Sequence, residues 1–440
     1  NINLTIMSFY SSGLNTRLMD PILDTKNRTE FRMTPESLYI TNWRLLNVGL
    51  WKTGTATVYT GLGGAISSIR NISILDGNVQ LDIIRNMAEW SSFKGVNMTN
   101  SEAINMNNIL TKNSRGYITE GLDTLATSAP NPVVAQQYFK TQPFRQSGSV
   151  TNSEETTDVA WLDLKAMFPL LSAISTINTN LFKNLKLVIE WETNYDKCLI
   201  ENDGVINHVR PLLVVDEFAD SDVKKQTMKE NKAIQYVTLE NDTVVVPTIT
   251  GVRSTNVNPL QKATYSVQGF NNKRVNKVLI QKAPTVVSTY KTGATNTDYG
   301  ASASIGMVAE EFQVRLNGSN LYPGNGVTQQ NQSLAILNDS WGVGVMPMGN
   351  ILHFKDENTL MASGEIQMGR ANYIGFSLNG ELVKSFDFTY GRLGQYDATK
   401  TDDANQDTTR YNQSVRLNMW AEVLREITPN GKGNYVVRYV

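Results

Sequence analysis

The sequence predicts an all-β protein built as two consecutive β-sandwiches with short helical inserts. Three observations carry that prediction. Short runs rich in Val, Ile, Thr and aromatic residues recur between clusters of Gly, Asn, Asp and Pro. Helical periodicity is confined to a few segments, so the strand-helix alternation of a parallel α/β enzyme is missing. The 440 residues exceed an ordinary single domain and suit two large β domains or three ordinary ones.

In chain order the strand-like runs are "SLYITNWRLLNVGLW" from Ser37, "TATVYT" from Thr55, "NLKLVIEWET" from Asn184, "PLLVVDEF" from Pro211, "IQYVTL" from Ile234 and "DTVVVPTIT" from Asp242. They continue with "NKVLIQ" from Asn276, "EFQVRLNG" from Glu311, "NYIGFSL" from Asn372, "SVRLNMWAEVL" from Ser414 and "NYVVRYV" from Asn434. Between the first runs lies "NISILDGNVQLDIIRNMAEWSSFKG", Asn71 to Gly95, whose period changes midway. It reads as a strand, a turn at Asp76-Gly77, a second strand, and then a helix over Leu81 to Phe93 with Ile83, Ile84, Met87 and Trp90 on one side. Asp82 then stands at the start of that helix, where the dipole favours a carboxylate. A second helix is expected over Asp158 to Leu171, capped by Asp158, and a weaker one over Ser101 to Leu110.

Three matched pairs of features suggest that the architecture occurs twice. The Asp76-Gly77 hairpin matches one at Asn317-Gly318; "NLKLVIEWET" matches "VRLNMWAEVL"; Val214-Val215 matches Val436-Val437. Their order is kept and their spacing shrinks slowly. The break between copies falls in the charged segment from Asp216 to Ile234, giving halves of 1–222 and 223–440.

Composition narrows the function. Lys and Arg number 40 against 41 Asp and Glu, so no global positive field exists to hold a nucleic-acid backbone. Charged residues make up 18%, below the roughly 25% usual for soluble domains, which suits faces covered by neighbours and equally suits a β protein with long polar loops. Cys198 is the only cysteine, so no intrachain disulfide forms and assembly in a reducing compartment is permitted. The most apolar window, Trp161 to Ile174, contains Asp163, Lys165 and Pro169 and is too short to span a bilayer. The chain begins at Asn1 without a methionine, which leaves room for a preceding segment.

Motifs for catalysis fail in turn. His208 and His353 are the only histidines and fall in different halves, so a Ser-His-Asp arrangement would have to cross the boundary. Cys198 carries no nucleophile signature, and no HExxH or CxxC spacing exists. In "VYTGLGGAI" from Val58, Ile66 replaces the third glycine of a dinucleotide loop. Asp403, Asn405 and Asp407 copy half an EF-hand, but Thr408 and Ser414 stand where glycine and the bidentate glutamate belong. Asp76, Asp82 and Glu89 are near in sequence, but nearness does not pair carboxylates as a glycosidase requires, and a turn and a helix start account for the first two. No residue is therefore assigned a catalytic, cofactor-binding or metal-binding role, and the chain reads as a non-enzyme. The seven tryptophans, Trp43, Trp51, Trp90, Trp161, Trp191, Trp341 and Trp420, sit in strand or helix patterns and read as core.

Two sandwiches of this size with inserted helices point to jelly rolls. On "ISILDGNVQLDIIRNMAEW", "EFQVRLNGSNLYPG", "NLKLVIEW" and "SVRLNMWAEV", the chain resembles a double jelly-roll major capsid protein of the PRD1/adenovirus lineage, in the style of virophage and polinton-like virus capsid proteins. The resemblance implies two jelly rolls side by side, normal to a shell, and a homotrimer whose six barrels make a pseudo-hexagonal capsomer of an icosahedral virion assembled inside the host cell. It implies neighbouring capsomers and minor capsid and penton proteins as partners, no cofactor, and no sequence-specific nucleic-acid binding; an internal membrane stays open. The polar loops from Ala283 and from Thr389 are candidates for towers or neighbour contacts. The rival reading is a β-rich carbohydrate- or receptor-binding protein with an exposed aromatic platform.

Overall fold

A computed structural model describes residues 14–35, 37–53, 68–87, 89–90, 145–147, 160–193, 206–218, 232–247, 261–285, 309–341, 373–393, 414–430 and 434–440. The first half contains β1 (Leu14–Met19), β2 (Leu23–Thr25), β3 (Arg28–Arg32), β4 (Leu38–Val48), β5 (Leu50–Thr53), β6 (Ile69–Asp76), β7 (Val79–Arg85), β8 (Arg145–Ser147) and β9 (Ala160–Asp163). Two short helices follow, α1 (Leu164–Met167) and α2 (Pro169–Ala173), then β10 (Thr176–Asn178), β11 (Leu185–Trp191), β12 (Ile206–His208) and β13 (Leu212–Phe218). The second half contains β14 (Ile234–Val246), β15 (Gln261–Ser266), β16 (Lys273–Pro284), β17 (Ala309–Leu316), β18 (Ser319–Asn320), α3 (Gln330–Trp341), β19 (Tyr373–Val383), β20 (Phe386–Leu393), β21 (Val415–Pro429) and β22 (Tyr435–Tyr439).

Each half is a sandwich of two antiparallel sheets, a double jelly roll overall. In the first half the order is β1-β13-β4-β10, with β9 also on β4, facing β2-β3-β11-β6-β7; a small third sheet, β12-β5-β8, lies beside them. In the second half it is β14-β21-β16-β19, with β22 on β21, facing β15-β20-β17-β18. Among the described residues every sheet draws its strands from one half only. Alternating positions fill the cores, with Trp43, Trp191, Trp420, Tyr39 and Tyr390 among the largest side chains fully enclosed. No described helix is long and apolar enough to cross a membrane.

The repeat is real in its pairing scheme, and the structure corrects which segments match. The hairpins β6-β7 and β17-β18 occupy the same place, each next to the strand that carries the adjacent turn, β11 or β20. Gly77 opens the first two-residue loop at φ 61°; Asn317 and Gly318 form the second at φ 52° and 87°, the positive angles that a tight hairpin requires. Each turn also donates one backbone N–H to the neighbouring turn, Gly77 to Asn184 O and Asn317 to Ser385 O. The counterpart of β11 is thus β20, not β21; β21 corresponds to β13, and β22 is an addition on β21. "NLKLVIEWET" and "VRLNMWAEVL" look alike because both are buried central strands, which converge on the same apolar composition.

Two helix expectations also change. Leu81–Arg85 belongs to strand β7, paired with β6, and among the described residues of that stretch Met87, Glu89 and Trp90 are helical, after Asn86 at φ 52°. The helical period misled because β7 is covered on both faces, so its buried residues do not alternate cleanly. Asp82 accordingly lies inside a strand. In the second case Ala160–Asp163 is strand and the cap is Asp163, whose Oδ1 accepts from Lys165 N at 2.9 Å. Phe168 then breaks the helix in two: it precedes Pro169 and takes extended angles, φ −90° and ψ 119°. The segment 101–110, "TATVYT", the glycine-rich run 58–66, Cys198, His353 and Asp403 to Asp407 lie outside the described residues, as does most of the loops from Ala283 and Thr389.

Strand registers also fix where the connections sit. Leu14, Leu38 and Phe218 are level at one end of the first barrel, and the turns at Gly77-Asn78, Asn317-Gly318 and Lys384-Ser385 close the same end of their hairpins. From the opposite end the chain leaves after Thr53, Trp90, Val246, Pro284 and Leu393 for five of its long connections, the kind of segment that binds or contacts partners in many β folds, whereas the connection after Phe218 starts at the short-turn end.

Candidate assembly site: the seam between the two barrels

The carboxylates that sit close in sequence, Asp76, Asp82 and Glu89, converge on one structural task. Each faces the second barrel and is held by a residue from it. At the short-turn end Tyr435 Oη donates to Asp76 Oδ2 at 2.7 Å, while Asn184 N donates to Oδ1 at 2.6 Å. At mid-height Thr238 Oγ1 donates to Asp82 Oδ1 at 2.8 Å, and Leu170 N, in α2, donates to Oδ2 at 2.9 Å. At the loop end Arg416 Nη2 meets Glu89 Oε1 at 3.1 Å. The order along β7 matches that along β14, β21 and β22, so the barrels stand side by side with like ends together.

A bulge in β7 supplies a further joint. Register shifts opposite Ile74 and Leu75, so Leu81 has no partner in the ladder. Its free carbonyl accepts from Tyr236 Oη and from Arg425 Nη1, the latter at 3.1 Å. Burial pushes the Tyr236 phenol well up from its ordinary range, so it stays a donor. Past the end of β7, Asn86 Nδ2 donates to Asn241 Oδ1 at 3.1 Å and Trp420 Nε1 donates to Arg85 O at 3.2 Å.

Apolar contacts close around these bonds. Trp90 meets Trp420 and Trp341 with ring centroids 5.9 Å apart in each pair, and Phe182 meets Tyr435 edge-on at 5.1 Å. Gly375 lets α3 lie flat on β19: a Cβ there would collide with Leu337 and Trp341. This holds Trp341 against the seam.

Asp82 is the carboxyl that burial perturbs at the seam. It is fully buried, and burial raises its pKa to about 6 against the downward pull of the Leu170 N–H, Thr238 and Ile83 N–H bonds and of the Arg425 charge. Among the described residues no second carboxylate faces it across a cleft as the paired acids of a glycosidase do. His208 is likewise a packed histidine. Its ring stacks on Trp191 at 4.2 Å and 7°, and Nε2 lies 2.8 Å from Asp24 Oδ1. Thr29 links the two ends, donating to Asp24 at 2.6 Å and accepting from Trp191 Nε1 at 2.8 Å. This chain ties β12 to the β2-β3-β11 sheet. Among the described residues no group of three His, Cys, Asp or Glu side chains could hold a metal ion. Trp43, Trp90, Trp191 and Trp420 are buried and offer no stacking platform.

Sequence reasoning placed Asp76 in the turn, where the structure makes it the last residue of β6 before the Gly77-Asn78 loop, and it missed Thr238, Arg416, Arg425 and Tyr435. The available signal was Arg425, set among Val423, Leu424 and Ile427 in β21, since a buried cation needs a partner.

No protein-family model matches the chain, and no curated protein does. Solved structures do. A chain of the Sputnik virophage solved by cryo-EM is 9% identical over 97% of this chain and 88% of that one, at a TM-score of 0.56. PBCV-1 VP54, fitted into a cryo-EM reconstruction of the virophage Sputnik, is 11% identical over 98% of this chain and 97% of that one, at 0.51. The mavirus major capsid protein is 10% identical over 98% and 90%, at 0.48. The first two share the double jelly-roll fold with this chain across nearly its whole length.

Proposed function

We propose that the chain is a major capsid protein, the structural subunit of an icosahedral viral shell, and that it works as a homotrimer whose six barrels form a pseudo-hexagonal capsomer. The observation that carries this reading is the full-length double jelly roll shared with two chains that were solved in, or fitted to, a virophage particle. The seam supports it. Seven cross-barrel hydrogen bonds and ion pairs, with a tryptophan cluster, make one rigid two-barrel unit, as a shell tile under load requires. The polarity supports it too: the short turns gather at one end, and five long connections leave from the other.

In this reading the barrels are 1–222 and 223–440, divided between Phe218 and Ile234. The chain has no catalytic role and no cofactor. Its partners are copies of itself, neighbouring capsomers and the minor capsid and penton proteins, and sequence-specific nucleic-acid contact is no part of its work. Negative-stain images of the purified chain test the reading. Particles of hexagonal outline are expected; separate two-lobed particles at high concentration would overturn it and favour a β-rich carbohydrate- or receptor-binding protein.

A further inference from the structure

A cleft of about 350 Å³ opens beside the seam. It is lined by Ile174, Thr176, Leu181 and Phe182 from the first barrel and by Ile234 and Gln235 from the second. Two sheets end at it. Among the described residues β10 pairs only with β4 and β14 only with β21, so each keeps one edge without a ladder partner. Asp82 holds the two sides together: its carboxylate accepts from Leu170 N in α2, which leads into β10, and from Thr238 Oγ1 in β14.

Each edge turns backbone groups outward at the cleft. Ser175 O accepts from Thr41 N and Thr179 N donates to Ser37 O, so residues 175, 177 and 179 bond to β4. Thr176, between them, points its N–H and C=O away from the sheet. Asn178 does the same, but its carbonyl already accepts from Leu181 N at 3.1 Å and Phe182 N at 3.2 Å. In the second barrel Val440 N donates to Leu424 O, which assigns the even-numbered residues of β21 there to β22 and the odd-numbered ones to β14 on its other side. Ile234 and Tyr236, opposite Ile427 and Arg425, therefore bond to β21, and exposed Gln235 directs its N–H and C=O to the free edge. Unpaired edge groups of this kind are a template for another strand.

We propose that the cleft receives an extended segment of a partner protein, neutral or acidic in character, as a strand added between β10 and β14. An extended backbone carries donors and acceptors along both of its edges, so one strand bonds to Thr176 on one side and to Gln235 on the other. It joins a sheet of each barrel across the seam. Its side chains alternate between solvent and the buried Leu181 and Phe182. Among the described residues lining the cleft Lys232 is the one that is charged, which disfavours a basic segment. The inference goes beyond the shell-subunit reading and holds whatever the number of chains in the particle.

Heptapeptides selected from a random displayed library against the full chain are the probes, with binding read by fluorescence anisotropy and by amide hydrogen exchange. Selected peptides are expected to carry apolar residues at alternate positions and to slow exchange of the Thr176 and Gln235 amides by roughly tenfold or more. Because neighbouring peptide residues bond to opposite edges, N-methylation of either of two adjacent central residues is expected to weaken binding by roughly five- to tenfold. Thr176→Pro removes an N–H that the fold does not use, so it is expected to keep the circular dichroism of the unaltered chain and to weaken binding by a similar factor. Peptides that tolerate N-methylation at both positions, or that bind folded Thr176→Pro as tightly as the unaltered chain, would overturn the proposal. So would a selection in which no peptide protects either amide. Sedimentation decides the trimer separately, and neither result alters the other.

Discussion

Replacing Trp420 by alanine is expected to lower stability by about 3–5 kcal/mol, the cost of emptying a large buried aromatic site. Trp420 has no exposed surface, packs on Trp90 from the other barrel and caps the Arg85 carbonyl. The loss therefore falls on the seam as well as on the second core. Trp420→Phe separates the two contributions. It keeps most of the packing and leaves the Arg85 carbonyl unpaired, a loss of about 1–3 kcal/mol. Urea unfolding of both variants checks this. A loss for Trp420→Ala no larger than that of an exposed substitution would contradict the role given to the tryptophan cluster.

The second large effect is a pH dependence set by Asp82. Its pKa rises from 3.8 in the unfolded reference to about 6 in the fold. Above about pH 6 the carboxyl is ionised in both states, and the native state bears the cost of a buried charge. As pH falls from about 6 towards 4, the native state binds a proton that the unfolded chain does not. Stability therefore rises on mild acidification, by about 3 kcal/mol from this group alone. Asp82→Asn cannot take up that proton, so its stability curve should lack the rise between pH 7 and pH 4.5. Parallel curves for the two proteins would show that Asp82 does not titrate in that window. Because Thr238 and Leu170 hold the same carboxyl, the rise is a property of the seam.

Much of the fold was legible, and the failures have physical causes. The hairpins at Gly77 and Asn317 were readable because only Gly and Asn take positive φ cheaply, so the turn chemistry is local. Runs such as "NYVVRYV" and "PLLVVDEF" became strands as expected, and "IQYVTL" and the start of "DTVVVPTIT" merged into the single strand β14. What failed was periodicity wherever tertiary contact covers both faces. Leu81 to Arg85 looked helical because the second barrel buries the face that would otherwise be polar. The seam was not legible for the same reason. Asp82 had a sufficient local explanation as a helix-start carboxylate, and nothing near it in sequence names Thr238, 156 positions away.

The central claim is that this chain builds a shell as a trimer of two-barrel subunits, and its solution mass tests that most directly. Sedimentation equilibrium of the purified chain should give a particle of three times 49.0 kDa, stable on dilution as an obligate interface is. A particle that stays at the mass of one chain as concentration rises would contradict the account.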